Sequence, residues 1–407
     1  VTIVLLGTSS FAIPIAAALR SMRTARGSAP CATPVSPARG SVGPLSQGTP
    51  LCDPSIRSEQ SSTATDATLP PSLGSNTEST LSGIITKPDK PASPPLAVWA
   101  RDHGVRLWQP ATKGELTALL QEQRPDVAVV AAYGKIIPPE ALAIPRFGFV
   151  NVHPSLLPSY RGPSPMQAAI ANGDAETGVT LIVLDADVDH GPIIAQERVT
   201  LSPTIARRAL EGELAERGAA LLARVLPEYL AGRIVPTPQD HARATVTPLL
   251  SRDDGRMDWN ASAAAIERNV RAYEGWPGTW CVLPNAQRLK VLRAAVNGPT
   301  TAAPGSIVRS TPATRGSAPC ATSVSPVRGS VGPLSQGTPL CDPSIRSEQS
   351  STATDATLPP SLGSTSRFDV ACGDGVLLTL VTVQGEGRTI TDGASFLRGF
   401  HEPGALR

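Results

Sequence analysis

Three polar side chains, far apart along the chain, are of the types that acyl transfer to an amine requires. Asn151 and His153 stand two apart at the end of the apolar run Gly148 to Val152, and strand alternation points both side chains to the same side. An amide donor and an imidazole can then converge on one atom, stabilising the oxyanion of a tetrahedral centre and moving the proton that an attacking amine must lose. Asp189 follows in the loop DADVDHG, Asp185 to Gly191, beyond the apolar run Val179 to Leu184. A carboxylate there can pair with His153 and accept a proton directly or through water. Taken singly, each residue also has an ordinary reading: Asn and His at strand ends make turns and hydrogen bonds, and Asp beside Gly forms loops.

Positioning such a set requires a scaffold of strands that give way to loops at their carboxyl ends. Strand signals at Thr2 to Leu6, Leu81 to Thr86, Val127 to Ala131, Gly148 to Val152, Val179 to Leu184 and Ile193 to Ala195 alternate with helical patterns. This predicts an α/β domain with a doubly wound, mostly parallel sheet. Leu210, Leu214, Leu221, Leu222, Val225 and Leu226 recur at helical spacing and predict a long amphipathic helix within Thr204 to Leu230. The polar, proline-bearing stretch after it is read as a linker over 233–246, separating a catalytic domain, 1–232, from a second domain, 247–407. Short strand-like runs around one helix predict a small OB-like β-barrel there.

One segment occurs twice. Arg26 to Ser75 recurs at Arg315 to Ser364 with two differences, Pro34 against Ser323 and Ala38 against Val327. Rich in Ser, Thr, Pro and Gly, without helical or alternating periodicity, each copy is expected to be disordered, over about 23–78 and about 310–366. With both copies removed the flanking text reads as one continuous protein, as if a mobile sequence had been duplicated and read through in frame.

A net charge of +2, with no long Lys or Arg block, gives no electrostatic footprint for nucleic acid. The run VTIVLL is too short to span a bilayer and has no preceding basic segment, so the reading is a cytoplasmic protein without membrane attachment. The cysteines lack CxxC spacing and the five histidines do not cluster, so no metal site is expected.

Longer motifs narrow the chemistry. GTSSFAIP, ITKPDKPA, VVAAYGKIIP, NVHPSLLPSYRG with PMQAAI after it, and DADVDHG resemble the catalytic domain of methionyl-tRNA formyltransferases. Gly255 to Trp280 and the closing GDGVLLTLVTVQGEGR and SFLRG resemble that family's tRNA-binding domain. The resemblance implies that Asn151 and His153 hold a formyl oxygen and that Asp189 orients His153 and aids proton removal. It implies a folate slot lined by Ser155, Leu156, Leu157 and Pro158, with 10-formyltetrahydrofolate as cosubstrate, initiator methionyl-tRNA as acceptor and a monomeric enzyme. Related readings on the same fold are an amino-sugar formyltransferase, a formyl-folate hydrolase, and an inactive relic that still binds RNA. The sequence departs from the family pattern where Ser93, Pro94 and Pro95 follow Ala92 in place of a basic loop, which should weaken phosphate contacts. It also departs at Pro154, which biases His153 toward an extended backbone that suits a strand end, and at His190, for which the sequence offers no physical account.

Overall fold

The computed structural model describes residues 1–22, 79–309, 367–400 and 404–406. Both copies of the repeated segment, and with them the expectation of disorder, lie outside these residues. The chain divides into two units, Val1–Met257 with Ala264–Trp280, and Asp258–Ala263 with Cys281–Arg407. The stretch read as a linker over 233–246 therefore lies inside the first unit. Its backbone is tied there: Thr237 and Ile193 exchange hydrogen bonds of 2.8 Å, and the Arg161 N–H donates to the Thr245 carbonyl at 2.8 Å.

In the first unit the elements run β1 (Thr2–Gly7), α1 (Ala12–Ser21), β2 (Thr80–Ile85), α2 (Pro95–Asp102), β3 (Leu107–Trp108), α3 (Lys113–Gln123) and β4 (Val127–Ala131). They continue through α4 (Pro139–Leu142), β5 (Phe149–His153), α5 (Pro165–Asn172), β6 (Glu176–Val183), β7 (Ile193–Thr200), α6 (Arg207–Leu230) and α7 (Ala263–Ala272), whose first residue falls in the second unit. Among the described residues the strands form one seven-stranded sheet in the order β3-β2-β1-β4-β5-β6-β7. Pairing is parallel from β3 to β5 and antiparallel at β6 and β7.

The strands are apolar on both faces because both faces are covered. Ile3, Leu5, Val127, Val129, Val150 and Val152 pack into one core with α1 and α6. Their alternates Val4, Leu6, Ala128, Val130 and Phe149 pack into another with Leu116 and Leu120 of α3. Gly218 lets α6 approach β5 closely, since a Cβ there would stand 2.8 Å from Val152 Cγ1. No described helix is long and apolar enough to cross a membrane.

The second unit is built on an antiparallel sheet. It comprises β8 (Thr279–Val282), which straddles the division, β9 (Arg288–Pro299), β10 (Ile307–Arg309), β11 (Phe368–Ala371), β12 (Val376–Gly385) and β13 (Ile390–Asp392), followed by α8 (Gly393–Arg398). The order is β10-β11-β12-β9-β8, with β13 also on β12. Irregular register along β9 and β12 accompanies the curl of this sheet into a half-barrel. Arg309 pairs with Phe368, so the residues at which the described chain stops and resumes stand opposite each other in the sheet.

Candidate active site

β5 ends the parallel part of the sheet, and its last residues carry the amide and imidazole expected there. Val150 and Val152 go to the core beneath α6, so alternation sends Asn151 and His153 the other way. Both are buried, at 9% and 4% exposure. Asp189 arrives from the loop between β6 and β7, which closes tightly because Gly191 sits against the Val183 carbonyl: a Cβ at Gly191 would lie 1.8 Å from that oxygen.

The three side chains meet. Asn151 Nδ2 donates to Asp189 Oδ1 at 3.1 Å, and the Gly162 N–H donates to Oδ2 at 2.8 Å. His153 Nδ1 stands 3.5 Å from Oδ2. The other ring nitrogen, Nε2, is 2.9 Å from the Tyr160 carbonyl. A carbonyl only accepts, so the network assigns a hydrogen to Nε2. Nδ1 is then the nitrogen left to act, and it faces the carboxylate. An amide donor, an imidazole nitrogen and a carboxylate, distant along the chain, thus stand together at this point.

The four residues expected to line a folate slot divide. Ser155 is fully buried, donating through Oγ to the Ser159 carbonyl at 2.7 Å and accepting from Thr180 Oγ1 at its own carbonyl at 2.7 Å. The Leu157 N–H donates to Thr180 Oγ1 at 3.1 Å and its carbonyl accepts from Gln196 Nε2 at 2.7 Å. The Leu157 N–H is therefore already taken, while the Ser155 and Leu157 carbonyls each hold one donor and keep a second lone pair. Leu156 and Pro158 remain partly exposed. Leu156 lines a cavity of about 650 Å³ with Tyr160, Asn172, Asp174, Thr177 and Val246, and Asn151, His153 and Asp189 are not among its walls.

Sequence reasoning missed the support of Asp189. Gln239, in the stretch read as a linker, donates from Nε2 to the carbonyls of Asp189 at 2.9 Å and Gly191 at 2.7 Å. Arg161, inside the NVHPSLLPSYRG motif, holds the Gln239 oxygen. No spacing rule marks a lone Gln in a polar segment. His190 gains a structural account: Nδ1 is 2.6 Å from Asp185 Oδ2, and the ring stacks on His241 at 4.0 Å and 4°. Where the basic loop is absent, Asp89 pairs with Arg101 at 2.8 Å. Hydrogen bonds from Gln109 and then Arg101 hold the Asp89 carboxyl below its ordinary value. Among the described residues no His, Cys, Asp and Glu group is arranged to hold a metal ion.

Residues 78–226 match the family described as formyl transferase, and residues 249–316 match the formyl transferase C-terminal domain. The methionyl-tRNA formyltransferase of Chloroflexus aurantiacus is 45% identical over 236 residues, which cover 56% of this chain and 76% of that protein. The chain belongs to the methionyl-tRNA formyltransferase family. Another methionyl-tRNA formyltransferase, from Roseiflexus castenholzii, is 48% identical over 240 residues, covering 56% of this chain and 75% of its own length. The two family matches start after the first repeated segment and end within two residues of the start of the second, at 315. A solved N-formyltransferase from Helicobacter canadensis, in complex with folinic acid and dTDP-3-aminofucose, shares the fold at a TM-score of 0.51 and 11% identity. That likeness covers 94% of this chain and 98% of the other.

Proposed function

We propose that the protein transfers the formyl group of 10-formyltetrahydrofolate to the α-amino group of initiator methionyl-tRNA. The observation that carries the reading is the convergence of Asn151 Nδ2 and His153 Nδ1 on the Asp189 carboxylate, in a member of this family. The free amine attacks the formyl carbon and forms a C–N bond, pushing the carbonyl electrons onto oxygen. Asn151 donates to that oxyanion, and His153 supplies a second donor through Nδ1 when protonated. Asp189 takes the proton released by the amine, directly or through water. The centre then collapses, the bond from carbon to folate N10 breaks, and N10 leaves with a proton. The products are formylmethionyl-tRNA and tetrahydrofolate.

Val188, next to Asp189 and 64% exposed, offers apolar surface that a flat pterin can cover. Leu156 and Pro158 remain the members of the expected slot with surface to offer it. The half-barrel unit is assigned to tRNA binding, and the enzyme to the cytoplasm, because charged tRNA is the substrate of this reading. Single-turnover formylation of methionyl-tRNA by the purified protein tests the reading, with Asp189→Asn alongside. Wild type should be active and the variant slower by about 100-fold, the range general acid–base groups contribute. Equal rates would remove Asp189 from the mechanism. Formylation of a nucleotide-linked amino sugar but not of charged tRNA would replace the acceptor.

A further inference from the structure

Gln239 is 95% buried, at 5% exposure, yet it belongs to neither the sheet nor a helix. A side-chain amide has two hydrogens to donate and an oxygen with two lone pairs. Here all four are used. The hydrogens go to the carbonyls of Asp189 and Gly191. The lone pairs accept from Arg161 Nε at 3.2 Å and Nη2 at 2.8 Å. Arginine only donates, so the amide can sit only with its oxygen toward Arg161 and its nitrogen toward the Asp189 loop.

Asp189 has φ of +48°, a left-handed conformation that a non-glycine residue keeps only when its surroundings enforce it. Gln239 grips that residue and Gly191 two positions on. Arg161 ties the grip to the other side of the carboxylate, since the next residue, Gly162, donates its N–H to Asp189 Oδ2. A second contact closes the clamp: Arg161 Nη2 donates to His241 Nδ1 at 2.8 Å, and the His241 ring stacks on His190, the neighbour of Asp189.

We propose that Gln239, oriented by Arg161, is a positioning residue that holds the Asp189 carboxylate in register with Asn151 and His153. This rests on the formyl-transfer reading above. Gln239→Glu keeps the shape and both bonds from Arg161 but sets an oxygen, without hydrogens, against two carbonyls. The loop should then relax and the carboxylate should leave its partners.

The test measures kcat and KM for methionyl-tRNA and 10-formyltetrahydrofolate in wild type, Gln239→Glu, Asp189→Asn and the double variant, with thermal melting of each. Inactive wild type would overturn the formyl-transfer reading itself and, with it, this inference. Given active wild type, Gln239→Glu should lower kcat by about 100-fold, the loss that misplacement near 1 Å brings, with KM within about threefold. In the Asp189→Asn background the same change should cost less than about threefold, because a residue that acts through Asp189 has nothing left to position. Gln239→Met, similar in length and without donors, repeats the cycle should the buried carboxylate of Gln239→Glu prevent folding. Unchanged kcat, a loss that persists without the Asp189 carboxylate, or failure of both variants to fold would each overturn the proposal.

Discussion

At the scale of single residues, burial sets reactivity. The Cys281 thiol is fully buried, and desolvation pushes it up to about 12. At pH 8 the thiolate fraction is then about one in ten thousand, and the thiolate is the form that reacts. Iodoacetamide at pH 8 should leave Cys281 unmodified in native protein, as peptide mapping by mass spectrometry can read, and should alkylate it in denaturant. Fast labelling of the native protein would show that the site opens. Cys372, raised to about 11 by burial and then by nearby Asp374, should lag in the same way. The placement of Asn151 and His153 at the end of β5 and of Asp189 in the loop after β6 was legible because spacing of two on a strand and a Gly-closed loop are local patterns. Gln239 was not, because its partners Arg161 and Asp189 stand 78 and 50 positions away and nothing in its own segment distinguishes it from a linker residue. The hydrogen bonds of Thr180 and Gln196 with Ser155 and Leu157 were hidden for the same reason.

At the scale of elements, the termini and the close contacts are where local chemistry can be tested. α3 is capped by Thr112, whose Oγ1 accepts the Glu115 N–H at 3.1 Å, while Glu115 Oε2 accepts the Ala111 N–H at 2.8 Å. Thr112→Ala should cost about 1 kcal/mol, as loss of an N-cap does, read from the midpoint of a urea titration. The Ala111 N–H, followed by Thr112, holds the Glu115 carboxyl below its ordinary value of 4.5. A lowered carboxyl contributes stability that is complete above the unfolded value and lost as pH falls through the folded one. Glu115→Gln should therefore change stability at pH 7 and stop mattering in acid below the depressed value. A difference that persists there would contradict the assignment. α6 makes a different demand. Gly218→Val would drive a branched side chain into Val152, whose neighbours are Asn151 and His153, and overpacking of this kind costs about 1–3 kcal/mol. The expected outcome is a lower melting temperature together with slower formyl transfer, and a stable, fully active variant would show that α6 can shift without moving β5. Six strands of the first unit were legible as apolar runs, although β7 continues to Thr200 past the expected Ala195 and the two-residue β3 left no signal; the long helix starts at Arg207 within the expected Thr204 to Leu230. The linker was not, because the hydrogen bonds that fold 237–247 back onto 161 and 193 are long-range and leave no periodicity.

At the scale of the whole molecule, the decisive question is what two near-identical segments do to an enzyme whose remaining text is continuous. The described ends bear on it. α1 closes at Ser21 and β2 resumes at Thr80, whose N–H donates to the Val1 carbonyl at 2.8 Å, so the first segment occupies a helix-to-strand connection. The second lies between strands that already face each other, Arg309 opposite Phe368. Neither position breaks a strand pair, and connections of both kinds accept long or short chains, since closure cost grows only slowly with length. Joining Thr314 directly to Thr365 leaves eight residues between β10 and β11, and joining Ala25 to Asn76 leaves eight between α1 and β2, both below the roughly 12 residues beyond which structureless connections become uncommon. Excising 26–75 and 315–364 together should therefore preserve formylation within about threefold and raise or leave unchanged the melting temperature, because a shorter loop costs less entropy to close. Loss of activity with an intact melt would instead give the repeated segment a part in substrate capture, and salt dependence of KM for methionyl-tRNA would then locate that part, since phosphate contacts weaken steeply as salt rises.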